Sequence, residues 1–274
     1  MTNQKHPNRR SQQNRKGRGK VKNVPNDPRL GGGKVIKEKF QEERIKRITP
    51  LTARNDNQRK ALKALKEKQM VILTGSAGVG KTLLAVWHAC DLWLRGDIDN
   101  IIITRPAKGL GKDGGAVPGS DSLKLLNYCL SMLHKFRTYL GPQVLKNNLR
   151  LDDLDSLFSE KRGIQLVPLA KIQGLSFDDN TLVIADELQN ADVAEVKALT
   201  TRCEEGCQLI ICGDPRQSAL HGKNGLTFLE ECLDKYPLEE YAEIIKFTSD
   251  NIERGGLASH MVKIFDNISD KWVD

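Results

Sequence analysis

Between Met70 and Leu94 the chain reads MVILT, then GSAGVGKT, then LLAVWHACDLWL. A five-residue apolar run enters a Gly-rich octapeptide, Gly75 to Thr82, which opens a stretch with Leu83, Leu84, Trp87, Cys90 and Leu94 on one side. Strand, turn and helix in that order are the context in which a G-x4-G-K-[ST] segment cradles phosphate. Gly75, Gly78 and Gly80 let the backbone curl so that N–H groups point inward at phosphate oxygens. The start of the following helix adds positive potential. Lys81 is placed to reach the β- and γ-phosphates, and the Thr82 hydroxyl to ligate Mg²⁺. The nucleotide-binding set is therefore Gly75, Ser76, Ala77, Gly78, Val79, Gly80, Lys81 and Thr82, and the expected ligands are ATP and Mg²⁺.

Two further apolar runs end in chemistry. Thr181–Ala185 leads into Asp186 and Glu187. At a strand tip the first carboxylate can hold Mg²⁺ and the second can polarise the attacking water. Many strands end in acids, so this pair gains its meaning from the loop at 75–82. Gln208–Cys212 leads into Gly213-Asp214-Pro215-Arg216-Gln217, which is a good turn and also sets Gln217 as a γ-phosphate sensor. Kinases of related architecture usually lack the second carboxylate, so Glu187 favours hydrolysis over transfer to a metabolite. Strands are expected at about 70–74, 101–104, 164–167, 181–185, 208–212 and 243–247, with helices over 57–68 and 122–140. Their alternation predicts an α/β fold with a mostly parallel sheet.

Charge divides the chain unevenly. Residues 1–50 hold fifteen Lys or Arg against four acids, a balance of +11. The whole 274-residue chain carries +8, which leaves −3 for the remainder. With few apolar residues before Val35, the first 35 or so cannot bury enough surface to offset ordering, so they are expected to form a disordered basic arm. We place arm and lead-in at 1–47 and the folded domain at 48–274. A solubilising tail is the plainer reading; phosphate neutralisation on RNA or single-stranded DNA is the sharper one, centred on Arg15, Lys16 and Arg18 in RKGRGK. No apolar run approaches the ~18 residues of a membrane span, and the opening MTNQKHPNRR has no apolar segment, so a cytoplasmic protein is expected. Cys203, Cys207 and Cys212, with His221 nearby, fit structural zinc spacing poorly, and the six cysteines read as thiols in a reducing compartment.

With these motifs in hand, the chain resembles the PhoH family, phosphate-starvation-inducible ATPases related to superfamily 1 helicases. The resemblance runs from about Thr49 to about Ile264 and suggests a short form, of bacterial or phage type. It implies a RecA-like P-loop fold and a Gln58 that contacts adenine. It makes Ile101-Ile102-Ile103-Thr104-Arg105-Pro106 comparable to a helicase motif, with Thr104 and Arg105 contacting nucleic acid or organising the site. Asp186-Glu187-Leu188-Gln189-Asn190 is similar to the family's Asp-Glu-Ala-Gln-Asn, and Asn251-Ile252-Glu253-Arg254 resembles the segment carrying a catalytic arginine. Gln173 and Leu175 stand where the family usually has arginines, and Gly109–Gly115 is unusually rich in glycine. Since 274 residues leave room for one RecA-like unit, a homo-oligomer, such as a hexameric ring, is expected to complete the site. The implied activity is ATP hydrolysis coupled to RNA or single-stranded nucleic-acid remodelling or unwinding. The alternatives are a nucleotide-gated RNA-binding switch and, more remotely, a P-loop kinase.

Overall fold

The computed structural model describes residues 48–106, 121–151, 163–220, 222–252 and, beyond these, 255–257, 260–262 and 264. In chain order the elements are α1 (Asp56–Glu67), β1 (Met70–Gly75), α2 (Lys81–Arg95), β2 (Asn100–Arg105), α3 (Asp121–Leu140), α4 (Pro142–Asn148) and β3 (Leu149–Arg150). They continue with β4 (Gly163–Pro168), β5 (Thr181–Ala185), α5 (Val193–Thr200), β6 (Gln208–Gly213), α6 (Gly225–Lys235) and β7 (Ala242–Phe247). Each of the six expected strands is present within one residue at either end. The two-residue β3, which extends the sheet beside β4, was not anticipated.

The strands form one sheet in the order β3-β4-β2-β5-β6-β1-β7, and the pairings are parallel. β6 lies between β1 and β5. The strand that enters the phosphate loop and the strand that ends in Asp186 are thus separated by the strand that ends in Gly213-Asp214. This order brings three loops together at the carboxyl ends of adjacent parallel strands, where α/β sheets bind ligands.

The apolar runs are continuous because both sheet faces are covered. Successive strand residues point to opposite faces. Val71 and Leu73, Ile101 and Ile103, and Leu182 and Ile184 join one core cluster, which α1, α2 and α3 cover. Ile72, Ile102 and Val183 join the other, under α5 and α6. Each fully buried aliphatic side chain contributes roughly 1.5–3 kcal/mol, so the central strands anchor the fold. The segment before α1 is tied down as well: Ile48 is buried, and the Trp87 indole N–H of α2 donates to the Thr49 carbonyl at 3.0 Å. Among the described residues, no helix is long and apolar enough to cross a membrane.

Candidate nucleotide site

The loop between β1 and α2 turns through left-handed backbone at Gly75, Gly78 and Gly80, with φ of 123°, 87° and 98°. L side chains rarely adopt such values. At Gly75 a Cβ would also lie 1.9 Å from the Phe247 carbonyl oxygen, so the loop seats directly on β7. Lys81 folds across this loop, its Nζ donating to the carbonyls of Gly75 and, at 2.9 Å, Ser76. Burial lowers the Lys81 pKa from its ordinary value, while neighbouring anions, Asp214, Glu187 and Asp186 among them, act in the opposite direction. A bound phosphate would do the same.

The two carboxylates follow β5 immediately. The Thr82 hydroxyl donates to Asp186 Oδ1 at 3.4 Å, which brings the loop and the strand tip to one point. Burial, then the charge of Glu187, pushes the Asp186 carboxyl up to about 6. Glu187 has φ 56° and ψ 37°, the one non-glycine with positive φ among the described residues. That conformation costs on the order of 1 kcal/mol and gathers at functional turns. Gln189 Nε2 donates to Glu187 Oε2, and Gln189 Oε1 accepts the Asp214 N–H at 3.1 Å. Buried to 1% exposure, Gln189 therefore joins the carboxylate turn to the tip of β6.

On that tip Asp214 Oδ1 accepts the Arg216 N–H at 3.2 Å, and the Arg216 guanidinium reaches Ser76 Oγ of the phosphate loop. Gln217 is exposed and lines the same cavity. Gln58, on α1, is 6% exposed; its Nε2 donates to the Val79 carbonyl at 3.1 Å and its Oε1 accepts the Arg54 N–H at 3.0 Å. In this structure its amide braces the phosphate loop. Sequence reasoning missed the bridging by Gln189 and Arg216. The Gln-Asn after the acids was the available signal for Gln189; nothing in the sequence marks Arg216, whose partner lies 140 residues away.

Two expectations meet geometry that alters them. Thr104, expected to contact nucleic acid or organise the site, is fully buried inside β2. Arg105 is only 20% exposed in its side chain and points its guanidinium toward Asp186 and Glu187. Arg15, Lys16, Arg18, Arg254 and the Gly109–Gly115 loop lie outside the described residues. The cysteine group is split by β6, with Cys207 just before its start and Cys212 near its far end. Among the described residues, no three metal-ligating side chains cluster.

These parts surround a cavity of about 440 Å³ whose lining includes Gln58, Gly78, Lys81, Thr82, Arg105, Asp186, Glu187 and Gln217. Thr82 and Asp186 offer the hard oxygen donors that suit Mg²⁺, which binds through few protein ligands plus substrate phosphates. Strand order, glycine loop, Lys81 and the paired carboxylates define a RecA-like P-loop nucleoside triphosphatase fold. The family described as PhoH-like protein matches residues 50–266, and the chain belongs to it. Protein PhoH of Escherichia coli K12 is 30% identical over 217 residues, covering 79% of this chain and 58% of that protein. Protein PhoH2 of Bacillus subtilis 168 is 32% identical over 238 residues, covering 82% and 50%. The chain thus spans about half the length of these curated relatives. Among solved structures, the large terminase of a thermophilic bacteriophage superposes with a TM-score of 0.46 at 16% identity, covering 80% of this chain and 50% of that one.

Proposed function

We propose that the protein is a Mg²⁺-dependent ATPase that couples hydrolysis to binding and remodelling of RNA or single-stranded DNA. The observation that carries the reading is the convergence of Lys81, Thr82, Asp186, Glu187 and Gln217 on one cavity. Lys81 and the loop N–H groups neutralise and orient the phosphates, Thr82 and Asp186 hold the metal, and Gln58 secures the loop beneath the base. Bound Mg²⁺ supplies charge neutralisation on the phosphate oxygens. Glu187 accepts a proton from water as its oxygen bonds to the γ-phosphorus. The bond from that phosphorus to the β–γ bridging oxygen breaks, and ADP and phosphate leave. Gln217 reports the γ-phosphate to the β6 turn.

Family membership supports nucleotide hydrolysis, and the +11 balance of residues 1–50 supports a nucleic-acid partner. Arg254, supplied by a neighbouring copy in a homo-oligomer, completes the site in this reading. The test is steady-state ATP turnover by the full chain and by a form lacking residues 1–40, each with and without single-stranded RNA or DNA. Stimulation that depends on the arm and fades at high salt is the expected result. Slow turnover indifferent to both would replace this reading with the nucleotide-gated switch.

A further inference from the structure

We propose that Arg105 is a catalytic residue of this ATPase, an arginine supplied by the same chain that engages the γ-phosphate once a nucleoside triphosphate is bound. The inference rests on the ATPase reading above and assigns Arg105 to the nucleotide rather than to nucleic acid.

Its position follows from strand pairing. β2 runs parallel to β5 with Thr104 opposite Ala185, and the Asp186 N–H donates to the Thr104 carbonyl at 3.0 Å. Arg105 and the two carboxylates therefore leave the sheet side by side. One terminal nitrogen of Arg105 donates to the Tyr128 carbonyl of α3 at 2.8 Å, which aims the side chain across the strand tips. That same nitrogen is 4.0 Å from Asp186 Oδ2, and the other is 3.6 Å from Glu187 Oε1.

Those separations exceed hydrogen-bond length. An arginine whose task was to neutralise the carboxylates would grip one of them through two short parallel bonds. Here the guanidinium's only hydrogen bond among the described residues is the one to Tyr128, out of five N–H donors. The guanidinium is thus anchored at one corner, stands off both acids, and lines the cavity with Lys81, Thr82 and Gln217. Glu187 Oε2 is already held by Gln189, so the remaining carboxylate edge and the unspent donors of Arg105 face each other.

Charge decides what those donors are for. A divalent ion held by Asp186 would repel a guanidinium this close, and an anion with several acceptor oxygens would offset both. A γ-phosphate is such an anion, and ADP lacks it. Arg105 consequently discriminates triphosphate from diphosphate, and its donors meet charge that spreads over the phosphoryl oxygens as the bond to the leaving oxygen breaks. A nucleic-acid contact fits less well, because the side chain is mostly buried and turned into the cavity.

The experiment compares wild type, Arg105→Lys and Arg105→Ala as full chains. Equilibrium affinities for Mg·AMP-PNP, Mg·ADP and a single-stranded RNA are measured beside kcat, KM and thermal stability. In Arg105→Ala the preference for AMP-PNP over ADP should fall about tenfold or more, with ADP affinity kept within about twofold. Its kcat should fall on the order of a hundredfold with KM nearly unchanged. Arg105→Lys should regain part of the triphosphate preference, and guanidinium ion should raise Arg105→Ala turnover. Equal weakening of both nucleotides, or nucleotide affinities unchanged while RNA binding weakens, would overturn the assignment. If wild type binds AMP-PNP yet does not hydrolyse ATP, the ATPase reading fails, and the AMP-PNP to ADP ratio still decides whether Arg105 meets the γ-phosphate.

Discussion

At the carboxyl ends of β1, β5 and β6 the chain gathers Lys81, Asp186, Glu187 and Asp214 around a cavity of about 440 Å³. At the amino ends of β1 and β6 a second cavity, about 350 Å³, is lined by residues such as Met70, Cys203, Cys207, Leu209, Leu229 and Tyr241. The two hollows differ little in size and greatly in chemistry. Parallel strands make the two edges unequal by construction: each βα turn delivers the N-terminal end of a helix to the carboxyl edge, and α2 begins there at Lys81. Backbone geometry therefore favours an anion at that edge. The opposite edge is closed with apolar side chains and satisfied amides; Gln208 Nε2 donates to the carbonyls of Leu65 and Lys68 at 2.8 Å, while its Oε1 lies 2.9 Å from His88 Nε2.

If the edges are that distinct, substitutions at one should change function alone and at the other stability alone. Lys81→Ala gives the largest effect: turnover falls on the order of a thousandfold, while thermal stability holds or rises because a costly buried charge is gone. Nucleotide titration and a melting curve on one preparation read both. Next comes pH. Burial holds the His88 pKa at about 4, below its ordinary 6.5, so between these values the unfolded chain binds the proton first. Stability is full above pH 6.5 and declines by about 3 kcal/mol as pH falls to 4. Denaturant titrations across that range should show the slope in wild type and flatten it in His88→Asn. The smallest effect belongs to Leu209→Ala, which enlarges the apolar hollow, costs about 2 kcal/mol and leaves kcat unchanged. A loss of kcat there at a temperature where the variant is folded would break the separation of the edges.

The sequence reveals features that depend on near neighbours. Glycines at 75, 78 and 80, the lysine after them and two acids after an apolar run are local patterns, and all but Gly75 line one cavity. The six strands were equally visible, because a sheet buried on both faces needs unbroken apolar runs. Strand order was not legible from the residues, since Val71 and Leu182 say nothing of β6 running between their strands. Side-chain reach across that order was hidden for the same reason. Arg105 meets Asp186 and Glu187 only because β2 lies beside β5, and Arg216 meets Ser76 only because β6 lies beside β1. Thr104 shows the opposite hazard: a motif neighbour of Arg105 by sequence, it points to the other face of the sheet by the two-residue alternation of a strand and is buried there.

The central claim is that the carboxyl edge hydrolyses ATP through Glu187, and Glu187→Gln tests it most directly. Phosphate release under saturating Mg·ATP is measured beside AMP-PNP affinity, for wild type and variant in parallel. The account predicts turnover lower by on the order of 10²–10⁴-fold with affinity kept within about threefold. Wild-type turnover that survives in a variant with intact nucleotide binding would contradict it.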